Sequence, residues 1–362
     1  MRRPAKKKNR KVHGKVDRSS TEILLDSGHN VKDNPDMLID HTRKLSFIWV
    51  LLVSSLLYGQ SALPTPNLTP ESRAIIALAY SYLPANDIVY VTAQGYRAKL
   101  DLYHPASGPP APVVVLIHGG GWVAGAKEQV ALESLPFMEM GFAVVNVEYR
   151  LAETSLAPAA VEDCLCVLHW LGRHAKNYNL DLNRVVVSGA SAGGHLALTT
   201  SMIPTTAGFE QECANDDDPS GGAGPWPNQR ARVAAVIDWF GITDVNELIE
   251  GANARAYAVT WLGNQPRRDE IAKSVSPLTY VRPGLPPILM IHGDKDTYVP
   301  YEQSVRLHQA LDRAGVKNQL LTISGKGHGD FTLDEEMHIW SAVRHFLEQA
   351  GVVGIGATAS TN

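Results

Sequence analysis

Cysteine is scarce in this 362-residue chain, with three in all, at positions 164, 166 and 213. Their spacing matches no zinc-site pattern. Long apolar runs are just as sparse. Only residues 45–57 (LSFIWVLLVSSLL) approach membrane length, which excludes a polytopic membrane protein. Internal repeats are absent. Charged residues make up 19% and hydrophobic residues 44%, beside 30 Gly and 22 Pro, so the chain is neither disordered nor a coiled coil. Its length suits one large or two ordinary domains. The formal charge of −4 argues against a basic nucleic-acid binder, but that average conceals a split.

The first 18 residues hold nine Lys or Arg against Asp17 alone, so the rest of the chain carries a net −12. This basic segment reads either as an arm for nucleic acid or nuclear import, or as a disordered or untranslated extension; the second reading is preferred. Beyond it, Met37 opens a stretch with Arg43 and Lys44, the apolar run, then Gly59, Ser61 and Ala62. That is the grammar of a secretory signal peptide. Met37 is therefore expected as the true start, with cleavage near Ser61 or Ala62 and an uncleaved anchor as the second choice. No Cys follows the run, so a lipoprotein anchor is not indicated. A secreted or periplasmic protein is expected. Without residues 1–62 the net charge is −10, which argues against polyanionic partners. Cys213 is left to pair with Cys164 or Cys166, or all three stay as free buried thiols.

The remaining chain alternates apolar β-branched runs with helix-like stretches. Residues 63–86 read as a Pro-rich linker followed by a helix at 71–83. Strands at 87–92 and 96–104 flank Gln94 and Gly95 as a hairpin. Further strands fall at 113–117, 143–147, 185–187, 234–239, 288–291 and 320–323, continuous apolar runs of the kind buried in a parallel sheet. Helices are expected at 161–176, 195–200, 301–314 and 335–349. The pattern predicts an α/β domain over 87–350, with insertions at 203–230 and 245–276 near the active edge and a frayed tail at 351–362.

Chemistry concentrates at four places. Gly189-Ala-Ser191-Ala-Gly193 lies between a strand and a helix, the setting of a nucleophile elbow. His118-Gly-Gly-Gly-Trp122 follows a strand, and its glycines let N–H groups converge on one point. Gly120 and Gly121, with Ala192, are the expected oxyanion donors. A P-loop is excluded because no Lys-Ser/Thr follows. His118 reads as a loop brace and Trp122 as a wall of the substrate pocket. The base is His328, in the turn Gly325-Lys-Gly-His328-Gly. The acid should follow the strand at 288–291, where Asp296 is chosen before Asp294; Asp244 is a third option. His195, His292 and Glu148 read as structural.

Together these motifs resemble the α/β-hydrolase superfamily, specifically secreted esterases and lipases related to the feruloyl-esterase-like (BD-FAE) and hormone-sensitive lipase families. The resemblance covers about residues 88–347. It includes Glu148-Tyr-Arg-Leu, Trp239-Phe-Gly-Ile-Thr-Asp and His292-Gly-Asp-Lys-Asp296-x-x-Val-Pro. The Asp-Pro-Leu-x-Asp motif usual in the hormone-sensitive-lipase branch is missing, which moves the chain toward the feruloyl-esterase-like branch. The resemblance implies a mostly parallel sheet with an N-terminal antiparallel hairpin, helices on both faces and a small cap-like insertion. It also implies a Ser191–Asp296–His328 triad and hydrolysis of short-chain, acetyl or feruloyl-type esters, including those of plant polysaccharide. No metal or organic cofactor is implied, and the expected partner is a small-molecule or oligosaccharide ester. Alternatives are a serine peptidase or arylformamidase on the same fold and, less favoured, a non-catalytic binding protein.

Overall fold

The structure, a computed structural model, describes residues 68–214 and 230–354. The expected signal peptide, residues 215–229 of the first expected insertion and most of the tail lie outside these residues. Thr69 opens the described part as the N-cap of α1 (Pro70–Tyr80), its hydroxyl accepting the Ser72 N–H. Strands β1 (Tyr82–Ala93) and β2 (Tyr96–Pro105) form the antiparallel hairpin. Gln94 and Gly95 both take positive φ, as a two-residue hairpin turn requires. Helix α1 ends three residues earlier than expected and β1 starts five residues sooner. The long partner strand explains both, because it pairs Tyr82 with Pro105 and Leu83 with His104 despite Pro84.

The alternation then runs β3 (Ala111–Ile117), α2 (Ser134–Glu139), β4 (Ala143–Val147), α3 (Ala159–His174), β5 (Leu180–Ala190), α4 (Ala192–Met202) and β6 (Val233–Trp239). It continues with α5 (Ala256–Leu262), α6 (Arg268–Ser274), β7 (Ile288–Gly293), α7 (Glu302–Arg313), β8 (Asn318–Ile323) and α8 (Leu333–Gln349). The eight strands lie in the order β1-β2-β4-β3-β5-β6-β7-β8. The hairpin is antiparallel and β2 runs antiparallel to β4; all other neighbours are parallel. Every residue of β3, β4 and β7 is buried, because helices cover both faces. Val113, Val115 and Ile117 pack with Leu165, Leu196 and Leu307 on one side. Val114 and Leu116 meet Phe137, Ile339 and Val343 on the other. Among the described residues no helix is long and apolar enough to cross a membrane.

This topology brings the carboxyl ends of β3, β5, β6, β7 and β8 to one edge, where open α/β sheets place their sites. The described part of one expected insertion, residues 203–214, does not reach it. Helix α4 starts at the elbow and runs back along the sheet, so residues 203–214 emerge at the opposite edge. They are tied down there, with Cys213 bonded to Cys166 of α3 and Glu210 paired with Arg230. Cys164 is buried and free. Residues 245–276, in contrast, do reach the active edge.

Candidate active site

Ser191 sits between β5 and α4 at φ 59°, ψ −118°, a backbone conformation that L-residues seldom adopt. Its N–H donates to the Trp239 carbonyl (2.8 Å), and its own carbonyl accepts the His195 N–H (3.0 Å). The flanking glycines are dictated by space. A Cβ on Gly189 would lie 2.5 Å from the Gly193 carbonyl oxygen, and one on Gly193 would lie 2.0 Å from that of Ile117. No side chain fits between strand and helix at this crossing.

Asp296 and His328 come together from the loops after β7 and β8. His328 Nδ1 donates to Asp296 Oδ2 at 2.6 Å, which leaves Nε2 as the free nitrogen. The other carboxylate oxygen accepts the N–H groups of Tyr298 (2.8 Å) and Val299 (2.9 Å). Burial alone would raise the Asp296 pKa. The hydrogen bonds from His292 and His328, the His328 charge and the Val299 N–H outweigh it and hold the carboxyl well below its usual range. His292, expected only as structural, therefore touches the acid. Its Nε2 lies 3.2 Å from both Asp296 Oδ2 and the Val299 carbonyl, and Nδ1 accepts from Ser304 Oγ at 2.7 Å. The alternative acids have other partners. Asp294 accepts the Gly325 N–H (2.7 Å), bracing the turn that carries His328, and Asp244 pairs with Arg306.

The glycine loop curls on itself, with the Val123 and Ala124 N–H groups both bonding the Gly120 carbonyl. Gly120 and Gly121 adopt φ 109° and 61°. Among the described residues their N–H groups find no backbone acceptor, and Ala192 N–H, in the first turn of α4, has no helical partner. His118 braces the loop as expected: Nδ1 donates to the Gly119 carbonyl (2.7 Å) and the ring stacks on Tyr149 at 4.3 Å. Glu148 is likewise structural, accepting from Tyr96 and, through its carbonyl, from Tyr90.

Trp122 departs from the expectation. It is fully buried and lines no part of the cleft. Its indole stacks on Trp261 at 4.1 Å and its Nε1–H donates to His195 Nδ1 at 3.2 Å. A ring of this size finds its packing surface beneath the loop, so Trp122 supports the glycine loop from behind. His195 in turn donates through Nε2 to the Val275 carbonyl (2.7 Å). Burial pushes its pKa down to about 3, which keeps the ring neutral.

Ser191, His328, Gly120 and Gly121 border one cleft of about 390 Å³, whose other walls include Phe240, Tyr257 and Tyr298. A second cavity of about 320 Å³ shares Ala190 and Phe240 with it. The three aromatic walls escaped sequence reasoning. Tyr298 lies two residues past the acid and Phe240 follows β6, so both were within reach of the motifs. Tyr257 lies in the insertion and has no such signal. Among the described residues no three or more His, Cys, Asp or Glu gather as a metal ion would need.

The BD-FAE family profile matches residues 100–311, more than half of the chain. The chain belongs to the BD-FAE family. The matched stretch takes in the glycine loop, Ser191 and Asp296 and ends before His328. Esterase LipC of Mycobacterium tuberculosis is 28% identical over 246 residues, covering 65% of this chain and 57% of LipC; the BD-FAE chain thus spans little more than half of that relative. Among solved structures, Thermogutta terrifontis esterase 2 phosphonylated by sarin is similar at 26% identity and TM-score 0.61, covering 75% of this chain and 97% of that one. A truncated carbohydrate esterase from gut microbiota is similar at 26% identity and TM-score 0.59, with 75% and 98% covered.

Proposed function

We propose that the protein hydrolyses carboxylic esters through an acyl-enzyme on Ser191. The observation that carries this reading is the 2.6 Å hydrogen bond that fixes His328 against Asp296 at the cleft holding Ser191. Asp296 remains ionised and fixes the tautomer in which Nε2 can take a proton. In the proposed reaction Ser191 Oγ attacks the ester carbonyl as its proton passes to His328 Nε2. The developing oxyanion is met by the N–H groups of Gly120, Gly121 and Ala192. Collapse breaks the ester C–O bond, and His328 gives its proton to the departing alcohol. Water then repeats the sequence on the acyl-enzyme and releases the acid and Ser191. The likeness to an esterase that sarin phosphonylates supports an activated nucleophile here.

The open cleft and its aromatic walls favour acetyl and other short or flat acyl groups, feruloyl among them. The likeness to a carbohydrate esterase adds acetylated sugars, including those of plant polysaccharide, as the alcohol side. Export is part of the proposal, supported by residues 45–57 and by the Cys166–Cys213 bond, which suits an oxidising compartment. Wild-type protein should turn over p-nitrophenyl acetate, and folded Ser191→Ala should not. Undiminished turnover by that variant would overturn the mechanism. A panel of p-nitrophenyl esters, acetylated xylan and methyl ferulate then ranks the substrate classes.

A further inference from the structure

We propose that Arg255, in the insertion, is a positioning residue that holds the triad acid through two peptide groups. The inference rests on the ester-hydrolase reading above and concerns how Asp296 is kept in place. Arg255 Nη2 donates to the Thr297 carbonyl at 3.2 Å, and Nε donates to the Tyr298 carbonyl at 3.0 Å. The N–H groups on the far sides of those same two peptide planes, belonging to Tyr298 and Val299, are the ones that donate to Asp296 Oδ1. Each peptide therefore has a guanidinium at its oxygen and a carboxylate at its nitrogen. A peptide dipole polarised at both ends is a stronger donor and a stronger acceptor than one held at a single end. Arg255 thus reaches Asp296 without touching it, by two parallel relays.

Tyr257 adds to the second relay, its hydroxyl donating to the Tyr298 carbonyl at 2.9 Å. The charged and titratable groups facing the acid are accounted for from each side. His328 and His292 bond Oδ2, and Tyr257 and Arg255 come from the insertion. Sequence gave no hint of this role, because Arg255 precedes a short helix some forty residues before the acid. The consequence falls on His328. With Oδ1 well supplied with donors, Asp296 shares its charge between the loop and the imidazole. With the relays weakened, more of that charge bears on His328 and the imidazolium is favoured.

The test is the pH dependence of kcat and KM for p-nitrophenyl acetate, a neutral ester. Arg255→Met keeps the apolar stem and removes the donors. It should lower kcat at neutral pH by about two- to fivefold, leave KM nearly unchanged, and displace the acid limb upward by about 0.3–0.7 pH unit. Arg255→Lys should recover part of the displacement. Tyr257→Phe should act in the same direction, and less than additively with Arg255→Met, since both donate to one carbonyl. A profile superimposable on wild type in Arg255→Met would overturn the proposal. So would a loss of kcat with no displacement of the acid limb, which would indicate a merely structural role. If Arg255→Met does not fold, Arg255→Lys and Tyr257→Phe carry the same measurement. An inactive wild type would instead refute the ester-hydrolase reading itself.

Discussion

The sharpest test of the oxyanion geometry is a single methyl group at Gly121. A Cβ there would lie 2.6 Å from Tyr257 Cβ and 2.9 Å from its Cγ, against the 3.5–4.0 Å at which carbon atoms rest. Gly121 also has φ 61°, a left-handed conformation that costs an L-residue about 1–2 kcal/mol. About 1 Å of movement must be found. Tyr257 resists it, because its hydroxyl is bonded to the Tyr298 carbonyl and its ring lies against Trp122. The glycine loop is the part that shifts, and its N–H groups shift with it. Loss of one oxyanion donor costs about 10²–10³ in turnover. Gly121→Ala should therefore lower kcat for p-nitrophenyl acetate by about a hundredfold. Tyr257→Gly removes both colliding atoms, and the double variant should regain at least tenfold over Gly121→Ala. Steady-state kinetics on folded variants checks both. A Gly121→Ala enzyme with wild-type kcat would refute the assignment of the loop as the oxyanion hole.

Three further outcomes are expected. Asp296→Asn should reduce kcat by about 10⁴, since an amide nitrogen facing His328 forces the wrong tautomer, whereas Asp294→Asn still accepts the Gly325 N–H and should change kcat little. The reverse order of effects would exchange the two roles. The Cys166–Cys213 bond closes a 47-residue loop, worth about 4 kcal/mol in the chain-entropy treatment, so Cys166→Ala/Cys213→Ala should lower Tm by roughly 10 °C; calorimetry of wild type with and without reductant gives the parallel reading. Burial pushes the Asp238 carboxyl up to about 7 despite the Gly241 N–H bond. Between its unfolded value near 4 and 7 the folded state keeps a proton that the unfolded chain releases, so stability falls as pH rises across that window, by up to about 1.4 kcal/mol per pH unit. Urea unfolding at pH 5 and pH 7 should show Asp238→Asn gaining on wild type at the higher pH.

What could be foreseen divides along the range of the causes. The strands were legible because β3, β4 and β7 are covered on both faces and so are written in unbroken apolar residues. Ser191, the glycine loop and His328 were legible because strained turns impose glycine at fixed offsets. Trp122 was misplaced because the ring that buries it, Trp261, lies in a distant insertion. The choice between Cys164 and Cys166 depended on how α3 rotates on the sheet, since two residues apart on a helix face nearly opposite ways. For the insertion expected at 203–230, nothing local records that α4 carries the chain back across the sheet, so the departure of residues 203–214 from the active edge has no sequence signal. Arg255 and Tyr257 act through main-chain carbonyls, which carry no residue signature.

The insertion at 245–276 also bears on how the site fails. Gly121 rests against Tyr257, Trp122 stacks on Trp261, and His195 bonds the Val275 carbonyl, so the floor under the glycine loop belongs to the insertion and not to the sheet. Short helices joined by single turns open locally at lower free energy than core strands. The elbow and sheet can thus persist in a molecule whose insertion has frayed. On heating, catalytic competence should disappear ahead of the cooperative melt, and regain of activity on cooling should track the re-docking of a few dozen residues with no refolding of the sheet beneath them.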